Sequence, residues 1–130
     1  MMRILVVDDM KGWREFNSKV MYEILGTDIV IDKAESATEA YSKLLENNDT
    51  PYDVVITDLQ MEDDYSPKYA GEWLVEQIRM LPKYFKTKIV MISATYNIRQ
   101  IADSYGVYSI PKSTAAKCLS AYKEILDVNK

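Results

Sequence analysis

Two short apolar runs end on acids, and this pattern constrains the fold more than any other feature of the chain. Ile4-Leu5-Val6-Val7 runs directly into Asp8-Asp9, and Val54-Val55-Ile56-Thr57 runs into Asp58. Both runs are continuous rather than alternating, which is the pattern of strands covered on both faces. A carboxylate placed there emerges at the rim of a sheet. If the strands are parallel neighbours, the two acidic ends converge on one edge.

Helical patterns fill the intervals. Lys11–Leu25 carries Trp13, Phe16, Val20 and Ile24 at helical spacing, and Gly26 stops it. Asp28–Asp32 reads as a second strand, and Tyr52–Thr57 and Lys88–Ile92 as the third and fourth. Ser36 with Glu39 forms a capping-box pattern ahead of a helix bearing Ala37, Ala40, Tyr41, Leu44 and Leu45. Leu74, Ile78 and Leu81 mark a helix from about Ala70 to Leu81, ended by Pro82. Tyr96–Tyr105 reads as a short helix closed by Gly106, and Val107–Ile110 as a fifth strand. Ser113 is expected to cap a last helix running to Val128, with Leu119, Tyr122 and Leu126 inward. Five βα units in a row predict an α/β domain over 1–130: a (βα)5 parallel sheet with helices on both faces. In such sheets ligands bind outside the carboxyl ends of the strands.

Composition narrows the chemistry. The 130 residues are 48% apolar and 28% charged, enough for one core and unlike a disordered chain. A net charge of −4, with no basic stripe, argues against a nucleic-acid partner. No apolar stretch approaches the roughly 20 residues of a membrane span. The N-terminal run is cut short by Asp8-Asp9 and does not read as a signal peptide. A cytoplasmic protein without a membrane partner is the expectation. The single cysteine, Cys118, permits no internal disulfide and is expected to be a small core residue. Histidine is absent, which excludes Ser-His and Cys-His catalysis and removes the commonest transition-metal ligand.

What remains is carboxylate, hydroxyl and ammonium chemistry. The fourth strand ends in Ser93-Ala94-Thr95 and the fifth in Pro111-Lys112-Ser113. With Asp8, Asp9 and Asp58 this places three acids, a hydroxyl and an ammonium at equivalent strand ends. Three neighbouring acids repel unless a cation joins them, and Mg²⁺ suits an oxygen-only cluster. A carboxylate held as its anion by Lys112 is a nucleophile for phosphorus and would give an aspartyl phosphate. Taken singly, each feature also has a plainer meaning: a turn, a cap or a surface lysine.

The whole chain resembles the receiver domain of two-component response regulators. The resemblance rests on Val7-Asp8-Asp9, Thr57-Asp58-Leu59-Gln60-Met61, Ile92-Ser93-Ala94, Lys112, and the stretch from Gly71 to Arg79. It implies a flavodoxin-like doubly wound sheet with strand order 2-1-3-4-5. It implies Asp58 as phosphoacceptor, and Asp8, Asp9, Asp58 and the Gln60 backbone carbonyl as Mg²⁺ ligands. Ser93 and Lys112 correspond to the phosphate-binding and switch positions, Gln60 and Thr95 to positions that tune dephosphorylation. The partners implied are a histidine kinase or histidine phosphotransfer protein and a downstream protein target. Tyr96, Tyr105, Tyr108 and Tyr122 are candidates for the target surface. A stand-alone receiver without an output domain is expected.

Three departures stand out. Receivers usually carry proline after the lysine, whereas here Pro111 precedes it and Ser113 follows. Ser109 occupies the position, three before the lysine, where receivers usually have an aromatic residue; Tyr108 is one residue earlier, a shift that turns a strand side chain to the opposite face. The loop after Asp58 is long, with Glu62, Asp63 and Asp64 beside the site, as a solvated insertion or a partner-docking element. Three other readings compete with this one. A haloacid-dehalogenase-like phosphatase needs an acid where Gln60 stands. A flavodoxin-type electron carrier needs a phosphate-cradling loop where Asp8-Asp9-Met10-Lys11 stands. A degenerate receiver, acting as an unphosphorylated interaction module, stays open.

Overall fold

Met2–Val7 (β1), Ile29–Ala34 (β2), Val54–Thr57 (β3), Lys88–Ser93 (β4) and Tyr108–Pro111 (β5) form one parallel sheet in the order β2-β1-β3-β4-β5. The structure is a computed structural model that describes residues 1–61 and 69–128. The long acidic loop therefore lies outside the described residues, apart from its last member, Tyr69. The helices are Lys11–Leu25 (α1), Ala37–Glu46 (α2), Ala70–Arg79 (α3), Ile98–Tyr105 (α4), Lys112–Ala115 (α5) and Leu119–Ile125 (α6). The α/β fold class and the strand order are as expected.

Strand alternation divides the core into two layers. Leu5, Val7, Val55, Ile89 and Met91 face α2, α3 and α4, and pack with Ala40, Leu44, Leu74, Ile78 and Ala102. Ile4, Val6, Ile56, Val90, Ile92 and Ile110 face the other way and pack with Val20 and Met21 of α1, Ala115 and Tyr122. Each large side chain so buried contributes about 1.5–3 kcal/mol. This two-sided burial is why the runs of β1 and β3 are apolar without a break. None of the described helices is long and apolar enough to cross a membrane.

Local chemistry sets the start of α2 and the end of α4. Ser36 accepts the Glu39 backbone N–H at 3.0 Å, and the Glu39 carboxylate in turn accepts the Glu35 N–H. Gly106, with φ +68°, ends α4 in the left-handed conformation that glycine adopts without strain.

The last helix differs from expectation. Pro111, not Ser113, precedes its first turn, and Ser113 is an exposed residue inside α5. After Ala115 the helix breaks, because Cys118 takes extended angles (φ −132°, ψ 93°) before α6 begins. The break lets α5 start at the rim while α6 lays Tyr122 on the sheet. Cys118 is consequently half-buried, with Sγ 2.9 Å from Ser120 Oγ, and is not a core residue.

Candidate functional site

The register of the sheet assembles the site. Val7 pairs with Thr57 across β1 and β3, so Asp8 and Asp58 leave the sheet side by side. The ladder continues one step further, with the Asp58 N–H donating to Val7 O at 2.9 Å and the Asp8 N–H to Ala34 O at 3.1 Å. Chain direction across the sheet reverses between β1 and β3, the place where such folds bind ligands. On the far side Ser93 pairs with Pro111, and Lys112 follows immediately. Pro111 does not turn the lysine away: Lys112 Nζ lies 3.3 Å from Asp8 Oδ2 and 3.3 Å from Asp58 Oδ2.

The electrostatics are unbalanced. Asp8 is 1% exposed and Asp58 6%. Each has one backbone partner: Met10 N–H donates to Asp8 Oδ1 at 2.9 Å, and Leu59 N–H to Asp58 Oδ1 at 2.8 Å. Burial, and then the neighbouring charge of Asp8, push the Asp58 carboxyl up to about 6, against the pull of Lys112. Burial also raises Asp8, opposed by the Met10 N–H and by Lys112. Asp8, Asp9 and Asp58 can each present an oxygen such that all lie within 4.8 Å of one another. This is a compact oxygen-donor cluster in which two buried carboxylates share one ammonium.

The remaining predicted residues divide. Ser93 is buried at the end of β4; its Oγ lies 3.2 Å from Thr95 Oγ1 and accepts the Thr95 N–H at 3.2 Å. A cleft of about 320 Å³, lined by Ser93, Thr95, Tyr96, Pro111 and Lys112, opens beside the cluster. Gln60 is exposed next to Met61. Tyr96 is 97% exposed at the cleft. Tyr108 is half-exposed, pairs with Val90 and shares the strand face of Ile110, so it stands on the α1 and α6 side with Lys88 Nζ 5.6 Å from its ring. Ser109 takes the opposite face. Tyr105 is half-buried, its hydroxyl directed at Glu72 and Glu76 of α3. Tyr122 must be withdrawn from the surface set: it is 2% exposed and its hydroxyl donates to buried Asn17 at 2.6 Å.

Three further residues shape the site without having been read from sequence in that role. Trp13 was read only as an apolar helix position, yet its ring centroid lies 4.9 Å from Lys112 Nζ. Arg14 donates to Asp8 O at 2.8 Å and lies 3.4 Å from Glu35. Gly71 brings α3 against the loop after β3: its N–H donates to Leu59 O at 2.9 Å. A Cβ there would clash with Asp58 O and stand 2.7 Å from Leu59 Cα. The glycine itself was visible in the sequence; this reason for it was not.

Comparison with known proteins agrees with this fold. The structure resembles that of the chemotaxis protein CheY4 of Vibrio cholerae, with a TM-score of 0.73 and 22% identity over 98% of this chain and 97% of that one. It also resembles a mutant receiver domain of the histidine kinase CKI1 from Arabidopsis thaliana, with a TM-score of 0.74 and 20% identity over 97% of this chain and 90% of that one. At such identities the likeness speaks for the fold. No curated protein matches the sequence. The family model of the response regulator receiver domain matches residues 4–119, a span that takes in β1 from Ile4 onward and all of β2 to β5, and includes Asp8, Asp58 and Lys112. The chain therefore belongs to the response regulator receiver domain family.

Proposed function

We propose that this receiver accepts a phosphoryl group on Asp58 from the phosphohistidine of a histidine kinase or histidine phosphotransfer protein. The observation that carries the reading is the position of Asp58: buried at a rigid strand end, 3.3 Å from Lys112 and clustered with Asp8 and Asp9. In the transfer, a carboxylate oxygen of Asp58 attacks phosphorus. The O–P bond forms as the donor N–P bond breaks; the N–P electron pair stays on the ring nitrogen, and the donor leaves as neutral imidazole because its other ring nitrogen already carries a proton. Lys112 exchanges the Asp58 carboxylate for a phosphoryl oxygen, a charge-assisted hydrogen bond. The Ser93 hydroxyl exchanges Thr95 for another.

The donor set fits Mg²⁺. All the donors are oxygens, and Asp8 and Asp58 share a single ammonium, which leaves negative charge for a divalent cation to offset. Asp8, Asp9, Asp58 and the Gln60 backbone carbonyl would hold it. When bound, it neutralises charge on the transferring phosphoryl oxygens. Gln60 and Thr95 would flank the water that later hydrolyses the acyl phosphate. Movement of Ser93 would remodel the face around α4 and β5, where exposed Tyr96 is available to a downstream protein.

Intact mass after incubation with acetyl phosphate and Mg²⁺ tests the reading. A single phosphoryl group is expected, absent without Mg²⁺ and absent in Asp58→Asn. A folded wild-type chain that takes no label from any donor would overturn it in favour of the unphosphorylated interaction module.

A further inference from the structure

Lys112 has one partner that carries no charge. Its Nζ sits 4.9 Å from the centroid of the Trp13 ring as well as 3.3 Å from each carboxylate. Trp13 is in the first turn of α1, directly after the Asp8–Met10 loop, and Phe16 stands edge-on to it with centroids 5.3 Å apart at 78°. The Lys112 side chain is only 11% exposed. An ammonium withdrawn from water is attracted to an indole face more strongly than one on the surface.

We infer that Trp13 is the positioning residue for Lys112 during phosphoryl transfer, an inference that rests on the phosphoacceptor reading of Asp58. Chemistry separates this partner from the other two. Asp58 gives its oxygen to phosphorus, and Asp8 would be one of the residues holding a divalent cation, so neither carboxylate is a constant partner for the ammonium. The indole changes neither. Its face keeps the ammonium at the rim while the lysine passes from the Asp58 carboxylate to a phosphoryl oxygen. A phenyl ring offers a smaller face of the same sign, and leucine offers none.

The test compares full-length wild type, Trp13→Phe and Trp13→Leu by lysine side-chain NMR and by the rate of labelling with acetyl phosphate and Mg²⁺. Lys112→Met assigns the Lys112 signal by removing it. The Lys112 Cε protons are expected upfield of the other lysines in wild type, less so in Trp13→Phe, and at ordinary positions in Trp13→Leu. Labelling is expected to slow about tenfold in Trp13→Leu and to recover most of that loss in Trp13→Phe. Ordinary Lys112 shifts in wild type overturn the inference. So does a wild-type rate in Trp13→Leu, or an equal loss in both variants, which would mark a packing defect and not a ring face. If Trp13→Leu does not fold, the decision rests on whether the Lys112 shift shrinks in Trp13→Phe. A wild type that takes no label sinks the phosphoacceptor reading and this role together; a labelled wild type indifferent to Trp13→Leu sinks only the role.

Discussion

Arg3, near the start of β1, donates its backbone N–H to Asp53 at 2.8 Å and its guanidinium to Thr50 O and Asn47 Oδ1. Asp8, one residue past the other end of the same strand, shares its lysine with a second buried acid. The contrast extends along both rims. At the amino-terminal rim the Thr87 hydroxyl donates to Tyr52 O at 2.7 Å, the Tyr84 hydroxyl to Leu44 O at 2.8 Å, and the Tyr52 hydroxyl to Asp32. Buried polar groups there have found partners, as stability requires. At the carboxyl-terminal rim two acids compete for one ammonium, and Asp58 is held near pH 6. One rim keeps the sheet together; the other keeps charge in excess, ready for a cation or a phosphoryl group.

The largest test of this contrast is Lys112→Met. It leaves two buried carboxylates without their cation, and should cost about 3 kcal/mol at pH 7.5 by urea unfolding. The loss should shrink at pH 5, where Asp58 is protonated. Equal losses at both pH values would mean that the lysine acts through packing.

Gly71→Ala should cost about 2 kcal/mol, because the new Cβ meets the backbone on both sides of the Asp58–Leu59 peptide and not a side chain that can rotate away. A neutral result would show that α3 can shift without disturbing the acidic rim.

Asp58→Asn gives an effect of similar or smaller size whose sign follows from linkage. The folded carboxyl titrates near 6, above its ordinary 3.8, so the native state binds the proton more tightly. Wild-type stability from this group is therefore present below about pH 4 and lost as pH rises through 6. The neutral variant should match wild type at pH 4 and exceed it by about 2 kcal/mol at pH 7.5 without divalent ions. Mg²⁺ should narrow the gap by binding native wild type. A gap of constant size across this range would refute the raised carboxyl.

The smallest effect belongs to the other rim. Thr87→Val removes one hydrogen bond and should cost about 1 kcal/mol, with the same value at pH 5 and pH 8. A marked pH dependence would mean that the polar groups of the amino-terminal rim are not settled with their partners.

How much of this was legible beforehand varies element by element. The acid-terminated runs of β1 and β3, the helical stripe of α1 and the stop at Gly106 all depend on neighbours within a few residues. Helical spacing puts Tyr122 inward, and it is buried; only its place among the target-surface candidates fails, because the partner that takes up its hydroxyl, Asn17, is 105 residues away. The break at Cys118 was missed because Ala115 to Leu119 contains no glycine or proline to announce it. The placement of Tyr108 on the opposite face to Ser109 was readable, because strand parity is itself a local rule.

By itself, then, the chain's sequence determined the order of its elements, the parallel sheet, and the delivery of Asp8, Asp9, Asp58, Ser93 and Lys112 to one rim. Those follow from periodicity and handed connections, which act over short stretches. Only the tertiary structure decided that Lys112 would bridge two acids, that Trp13 would cover it, and that Gly71 would press α3 against Asp58. These are meetings of surfaces set by strand register and helix docking. A sequence separation of 54 between Asp58 and Lys112 carries no local signal of a distance of 3.3 Å.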